Sequence, residues 1–198
     1  MVTTRREQLL ATAARLFAER GYHGVSLHDI GAACGVTGPA IYRHFAGKDA
    51  MLAQMLVEVS ERLLVEAHAR ATAHSDATEV LRALIGWHIE FALEHPSLIV
   101  VQEREWANLQ PEARDAVRSL QLAYIDRWVD AVRALRPDLD RAAARATVQA
   151  VFGMLNSTPH SARISESRMR ELLAQMAESA LLGCAAAPGP AANPRLQD

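Results

Sequence analysis

Apolar residues recur at every third or fourth position along most of the chain, which is the spacing of one face of an α-helix. The first run extends from Arg5 to Arg20 and is closed by Gly21, a residue that commonly ends helices. A second run begins at Lys48 and continues to about residue 70. The pattern therefore predicts an all-α protein. Five further helical segments, most of them bounded by prolines, are predicted at residues 78–95, 97–109, 111–136, 139–160 and 165–184.

Between the first two runs, capping residues predict two short helices joined by a tight turn. Ser26 and Asp29 have the spacing of a capping box, in which a hydroxyl and a carboxylate satisfy the first amides of a helix. Gly35 ends that helix, Thr37 is an N-cap candidate for the next one, and Pro39 falls in its first turn, where a missing N–H costs nothing. Three short helices with a glycine in the second turn form the helix-turn-helix arrangement.

The composition excludes several classes of protein. The chain has 198 residues, of which 50% are hydrophobic, and a net charge of -2, as in an ordinary globular protein. No apolar run is long enough for a membrane-spanning helix or a signal peptide, which predicts a cytoplasmic protein with no membrane partner. The cysteines and histidines lack the spacing of a metal site, and no catalytic arrangement stands out, so we expect no metal, no cofactor and no enzymatic activity.

The N-terminal unit carries the residue types that DNA recognition requires. The first 50 residues have six basic and four acidic side chains, so this is the cationic end of an otherwise acidic chain. A DNA major groove about 12 Å wide admits one helix, whose N-terminal residues point at base edges, while polar groups nearby bind phosphates. The candidate DNA-contacting residues are Ser26, Thr37, Gly38, Pro39, Ala40, Tyr42, Arg43, His44 and Lys48.

Four sequence blocks in this unit resemble the DNA-binding domain of the TetR/AcrR transcriptional regulators. They are FAERGY (17–22), VSLHDIG (25–31), GVTGPAIYRHF (35–45) and GKD (47–49). The resemblance implies a DNA-binding regulator, in this family most often a repressor. It also implies phosphate contacts from Tyr42 and Lys48, combined capping and phosphate roles for Ser26 and Thr37, and groove-facing positions for Gly38, Pro39, Ala40 and His44.

The start of the third helix departs from the family's usual pattern. Many relatives carry Lys, Arg, Gln or Ser where this chain has Gly38, Pro39 and Ala40, whose side chains cannot form hydrogen bonds to bases. We therefore expect specificity to depend on thymine-methyl contacts, on Arg43 or His44, and on DNA shape.

The resemblance implies a helix-turn-helix domain at residues 1–50, an effector-binding and dimerisation domain at 51–184, and a tail at 185–198 that its composition predicts to be disordered. It also implies a homodimer through the last two long helices. Both helices carry apolar stripes that could serve this purpose, although an ordinary core within one chain would also account for them. The stripes are Ala144, Val148, Val151 and Leu155, then Met169, Leu172, Leu173, Met176, Ala180 and Leu181.

The larger domain is further implied to enclose a ligand cavity. Small-molecule sites have apolar walls with a few polar groups, but each residue of this kind could instead belong to the core. His88 and Asn156 stand among apolar residues and would need hydrogen-bonding partners if buried. The candidate ligand-binding residues are Trp87, His88, Phe91, Gln102, Glu105, Trp106, Tyr124, Trp128, Phe152 and Asn156.

The nature of the effector stays open at this point. Residues 99–105, 128–130 and 136–140 resemble actinobacterial members of the family that sense acyl-CoA thioesters in lipid or sterol catabolism. The two interpretations are an acyl-CoA or other lipid-derived ligand, and a different hydrophobic or aromatic effector. The expected function is a dimeric repressor that a small hydrophobic effector releases from operator DNA. The alternative is a helical-bundle ligand-binding or protein-interaction module whose helix-turn-helix is only scaffold.

Overall fold

The structure is a computed structural model that describes residues 4–158 and 164–183. Within these ranges the chain forms nine α-helices, one 3₁₀ helix (Trp106–Asn108) and no strand, which confirms the all-α prediction. The tail at 185–198, predicted to be disordered, lies outside the described residues. The helices are α1 Arg5–Arg20, α2 Leu27–Cys34, α3 Gly38–Tyr42, α4 Lys48–Thr72, α5 Ala77–Glu94, α6 Pro96–Arg104, α7 Pro111–Leu135, α8 Arg141–Leu155 and α9 Glu166–Leu182.

Several predicted helix boundaries are shifted in the structure, including the end of the segment predicted at 139–160, which ends at Leu155. The third helix ends at Tyr42, so Phe45 follows the helix instead of lying within it. The segment predicted at 97–109 divides into α6 and the 3₁₀ helix, because the backbone of Glu105 (φ -100°, ψ 6°) leaves the α-helical region. The segment predicted from residue 139 begins instead at Arg141, because Asp140 is the N-cap and accepts a 2.7 Å hydrogen bond from Ala143 N.

The tight turn between α2 and α3 fixes how α3 lies against α2. Gly35 has a φ of 65°, in the left-handed region that glycine adopts without a steric penalty. A Cβ atom at Gly31 would lie 2.8 Å from Ile41 Cδ1 and 3.0 Å from Val36 O, so only glycine permits this approach. Val36 N donates to Gly31 O at 2.9 Å and closes the turn. The predicted helix-turn-helix geometry is therefore present.

The N-terminal unit and the larger domain share one hydrophobic core. α1 packs against α2 on one side and against α6 on the other. Phe17, Ile30 and Phe45 fill the small unit and belong to the same buried cluster as the core of the larger domain. α4 crosses the predicted boundary at residue 50 without a break. A displacement within the larger domain can consequently reach the N-terminal unit through α4 or α6.

The larger domain is a bundle arranged around α7. α4 and α5 pack against α7, α8 packs on another side of it, and α9 covers α5 and α8. The fully buried indole of Trp128 lies at the centre, with Phe91 and Leu84 close to complete burial in the same core. This core supports the walls of the cavity described below.

Candidate DNA interface and effector cavity

Ser26 begins α2 with a complete capping box, as predicted. Asp29 N donates to Ser26 Oγ at 3.1 Å, and Ser26 N donates back to Asp29 Oδ2 at 2.8 Å. The Ser26 hydroxyl also donates to Asp29 Oδ2 at 2.5 Å, and this bond, together with the one from Ser26 N, holds the pKa of the Asp29 carboxyl below its usual value. The Ser26 side chain is exposed, so the N-terminal end of α2 faces solvent.

Thr37 occupies the N-cap position of α3, but its side chain makes no capping hydrogen bond, which corrects the predicted role. The reason lies in the two residues that would donate to it. Pro39 has no N–H, and Ala40 N already donates to the backbone oxygen of Thr37 at 3.0 Å. The exposed Thr37 hydroxyl is therefore left available to a partner outside the chain.

Most of the predicted DNA-contacting residues in and just after α3 are exposed on the surface of the N-terminal unit. Tyr42 is 62% exposed and so does not belong to the core, whereas Phe45 is 1% exposed and does. The side chains of Arg43 and His44 are exposed, and Arg43 has no ion-pair partner among the described residues. Pro39 is exposed as well, while Ala40 is half-buried. A phenol, a guanidinium and an imidazole thus reach solvent at the end of α3.

Lys48 has an internal role that the sequence did not indicate. Its Nζ donates to Tyr22 O and to Val25 O, both at 2.9 Å, and lies 4.2 Å from the centroid of the Tyr22 ring. The ammonium therefore ties the loop between α1 and α2 to the first turn of α4. Because an ammonium has three N–H groups, one remains for the predicted phosphate contact.

A cavity of about 260 Å³ opens between α4, α5, α6, α7 and α8. It brings together half of the residues predicted to bind ligand, namely His88, Gln102, Tyr124, Phe152 and Asn156. The other described lining residues are Ser60, Leu63, Glu103, Gln121 and Ile125.

His88 is the centre of a buried hydrogen-bond network in the cavity wall. Its Nδ1 lies 3.0 Å from Tyr124 Oη and its Nε2 lies 3.0 Å from Asn156 Oδ1. Burial lowers the pKa of His88 to about 4, so the ring is neutral at pH 7. Since an amide oxygen only accepts, Nε2 carries the proton and the Tyr124 hydroxyl donates to Nδ1. His88 and Asn156 thus have the partners that their burial required.

Three stacked aromatic rings line one side of the cavity. The Phe152 ring lies 4.7 Å from the His88 ring at an interplanar angle of 11° and 5.5 Å from the Tyr124 ring at 13°. Trp128 packs edge-on against Phe152 at 4.9 Å. Burial raises the pKa of Tyr124 above its usual value, which keeps the phenol protonated. This side of the cavity is therefore aromatic and uncharged.

Four aromatic residues predicted to bind ligand lie outside the lining, and so does Glu105. The fully buried Trp128 and Phe91 fill the core behind the wall. Trp87 faces α4, where the guanidinium carbon of Arg70 lies 4.4 Å from its ring centroid. Trp106 is half-buried in the 3₁₀ helix beyond the end of α6. Helical spacing identifies inward-facing residues, but packing decides which of them reach a cavity.

Glu105 joins the larger domain to the N-terminal unit. The side chain is 6% exposed, and its Oε1 accepts a 3.1 Å hydrogen bond from Tyr22 N. Its Oε2 accepts a 2.7 Å hydrogen bond from Asn108 Nδ2. The Tyr22 hydroxyl donates in turn to Asp49 at the start of α4. The carboxylate is therefore a buried anchor between the end of α6 and the loop after α1.

Five lining residues were missed, and helical spacing could have found some of them. Gln121 and Ile125 lie three residues before and one residue after Tyr124, and Glu103 follows Gln102 directly. Ser60 and Leu63 belong to the inward face of α4. An inward glutamine in an amphipathic helix is a usable signal, because a buried amide needs a partner.

Two further properties concern the described residues alone. They contain no group of three or more side chains able to hold a metal ion. None of their helices combines the length and the apolar character needed to cross a membrane.

Two family models match the chain in sequence order. The model described as "Bacterial regulatory proteins, tetR family" matches residues 9–55, and the model described as "Tetracyclin repressor-like, C-terminal domain" matches residues 74–160. The chain belongs to the TetR family. TetR-family proteins are transcriptional regulators that bind DNA and are not enzymes. This confirms the predicted DNA-binding regulator and the predicted lack of enzymatic activity.

Individual TetR-family proteins support the same assignment. The HTH-type transcriptional repressor KstR2 of Mycobacterium tuberculosis is 27% identical over 146 residues, which cover 70% of this chain and 73% of KstR2. A TetR-family regulator from Bordetella parapertussis has a TM-score of 0.80 at 25% identity, covering 89% and 95% of the two chains. AibR, solved in complex with isovaleryl coenzyme A and operator DNA, has a TM-score of 0.72 at 22% identity, covering 87% and 97%.

Proposed function

We propose that the chain is a homodimeric repressor that leaves its operator when a small hydrophobic molecule enters the cavity. One observation carries this proposal: α6 contributes to both sites. Gln102 and Glu103 line the cavity, and Glu105, just past the last residue of α6, holds Tyr22 N in the DNA-binding unit. A ligand that displaces the α6 wall would move a group that is hydrogen-bonded to that unit.

The DNA contacts follow from the exposed groups at the ends of α2 and α3. The hydroxyl of Thr37, the phenol of Tyr42 and the remaining N–H of Lys48 bind phosphates, and the Ser26 hydroxyl does so when it turns away from Asp29 Oδ2, to which it donates in the free chain. The start of α3, with Gly38, Pro39 and Ala40, lies in the major groove, where small apolar side chains contact thymine methyl groups. Arg43 and His44 are the side chains able to donate to base edges, and DNA shape supplies the rest of the specificity.

The dimer forms through the outer faces of α8 and α9. The predicted α8 stripe is wrong as an interface, because all four of its residues are buried against the rest of the same chain. The α9 stripe is only partly buried within the chain. Met169, Leu173 and Leu181 are buried, whereas Leu172 and Met176 are each 44% exposed. The outer face of α8 offers small residues that allow close helix packing, namely Ala142, Ala143, Ala146, Ala150 and Gly153.

A charge on this face is expected to separate the dimer. Met176→Glu buries an unpaired carboxylate if α9 packs against a second copy, so we expect a monomer at micromolar concentration by sedimentation velocity. Gln175→Glu is the matched control, because residue 175 is also exposed but points about 100° away around the helix. If Met176→Glu sediments as a dimer like the control, this face is not the interface.

Release follows from the geometry of two linked copies. In a helix-turn-helix dimer the two recognition helices contact half-sites about 34–36 Å apart, so a small rotation of each N-terminal unit spoils the fit. The ligand shifts the equilibrium only by its difference in affinity for the two conformers. The hydrogen bonds of Glu105 supply a contact that differs between these conformers.

Two effector classes are supported, one by relatives of this chain and the other by the cavity itself. AibR was solved with isovaleryl coenzyme A, and another structural relative, KstR2 of Mycobacterium tuberculosis, is a ketosteroid transcriptional regulator. Both relatives support an acyl-CoA or other lipid-derived ligand for this chain. The aromatic lining and the small volume support a different hydrophobic or aromatic molecule.

DNA binding is tested by fluorescence anisotropy with DNA from upstream of the chain's own gene, using scrambled DNA as competitor at two salt concentrations. Tyr42→Ala is expected to weaken binding about tenfold on both DNAs, because a phosphate contact carries no sequence information. Val65→Ala is the control, since Val65 is 63% exposed on α4, away from the N-terminal unit. Equal affinity of the two variants would mean that this face does not contact DNA.

A further inference from the structure

Three of the polar side chains that line the cavity are carboxamides. Gln102, Gln121 and Asn156 all reach it. The side chains of Gln102 and Gln121 have no hydrogen-bond partner among the described residues, and Asn156 uses only its oxygen, toward His88. Three amide groups with unused donors and acceptors therefore face the same space.

The charges around the cavity disfavour an anion. The described lining residues include one carboxylate, Glu103, and neither lysine nor arginine. His88 supplies no counter-charge at neutral pH, since burial keeps its ring neutral and both of its nitrogens already face Tyr124 and Asn156. A carboxylate or phosphate placed here would lose its hydration and gain no ion pair.

The volume of the cavity suits a ligand of about one ring. A cavity of roughly 150 Å³ holds benzene, so about 260 Å³ holds on the order of ten non-hydrogen atoms. The stacked rings of Phe152, His88 and Tyr124 line this space, and an aromatic ring packs against such rings by offset stacking or edge-to-face contact, so the lining favours a planar aromatic molecule.

We propose that the cavity takes an uncharged, planar, single-ring molecule of about ten non-hydrogen atoms whose carbonyl or amide group bonds to Gln102, Gln121 and Asn156. The role of this molecule as an effector rests on the proposed function, but its binding does not. Of the two effector classes, this assignment selects the smaller aromatic one over the CoA thioester.

Benzamide and benzoate test the charge preference, because they share ring, shape and size and differ in charge at pH 7.5. Titrations of the full-length protein without DNA, followed by ligand-observed NMR, are expected to show benzamide binding at least tenfold more tightly than benzoate. Equal or tighter binding of benzoate would overturn the proposal, and so would failure of both probes to bind the folded protein. Binding of benzoyl coenzyme A without binding of benzamide would overturn it in favour of the thioester class.

A cation placed in the wall is expected to reverse this preference. Gln121→Arg supplies the missing counter-charge, so benzoate affinity should rise at least tenfold while benzamide affinity falls or stays constant. Gln110→Arg is the matched control, because Gln110 is an exposed residue outside the lining at the start of α7. An equal gain in both variants would show that benzoate binds elsewhere and would overturn the assignment.

Anisotropy with the operator separates this proposal from the proposed function. If benzamide binds with the stated preference but leaves DNA affinity unchanged, the ligand assignment stands and the coupling to DNA fails. If Tyr42→Ala has no effect on DNA binding while the benzamide preference holds, the DNA interface fails and the ligand assignment again stands.

Discussion

Replacing Glu105 with alanine is expected to lower the free energy of unfolding by about 3 kcal/mol. The substitution removes two hydrogen bonds to a buried carboxylate and leaves Tyr22 N without a partner at the junction of the two domains. Each hydrogen bond to a charged group contributes about 1.5–3 kcal/mol, and an unsatisfied buried donor costs about 1–3 kcal/mol. Urea unfolding at fixed protein concentration, followed by circular dichroism, measures the change.

Glu103→Ala is the matched control for this substitution. Glu103 lies two residues earlier in α6 and is exposed, so its loss is expected to change stability by less than about 0.5 kcal/mol. Glu105→Gln keeps an oxygen that can accept a hydrogen bond from Tyr22 N. Its free energy of unfolding should therefore fall between those of Glu105→Ala and Glu103→Ala. If Glu105→Ala and Glu103→Ala unfold at the same urea concentration, the carboxylate is not an anchor, and the proposed route from the cavity to the DNA-binding unit loses its support.

Acidification is expected to destabilise the protein through His88 by about 3 kcal/mol between pH 6.5 and pH 4. The pKa of His88 is about 4 in the folded chain and about 6.5 in the unfolded chain. The stability that comes from the neutral ring is therefore fully present above pH 6.5. It is lost as the pH falls toward 4, because over that range the unfolded chain binds a proton that the folded chain does not.

The difference in pH dependence between two variants isolates this contribution. His88→Gln removes the titrating group, so its free energy of unfolding should fall less steeply between pH 6.5 and pH 4 than that of the parent, whatever its stability at pH 7. His23→Gln, at an exposed histidine, should keep the parental slope. Parallel pH profiles for all three proteins would mean that His88 is not held neutral by the fold.

The N-terminal unit could be predicted closely because its signals are local. Ser26 and Asp29 are three residues apart, and Gly35 ends the helix that they begin, so neighbours in sequence determine the geometry. Thr37 shows the limit of this reasoning. Its residue type and position favour a cap, but the proline two residues later and the bonded N–H of Ala40 leave nothing for the hydroxyl to accept.

The cavity could be predicted only in part because it depends on contacts between distant helices. The spacing of His88, Tyr124 and Asn156 showed that each faces inward, and their mutual hydrogen bonds explain why polar groups are tolerated there. The same spacing could not separate them from Trp128, which faces inward and is enclosed on all sides. Glu105 was misplaced for a similar reason, since its partner Tyr22 lies 83 residues earlier in the chain.

Lys48 is the sole lysine of the chain, and this gives it a use in following the protein's motions. A lysine-specific protease has one site in the sequence, at the first residue of α4, and cleavage there separates the helix-turn-helix from the rest. The ammonium that the protease must recognise is held by Tyr22 O and Val25 O, so cutting requires that these contacts open first. The rate of appearance of two fragments thus measures how often the N-terminal unit loosens, and it can be followed on the natural sequence with operator or ligand present.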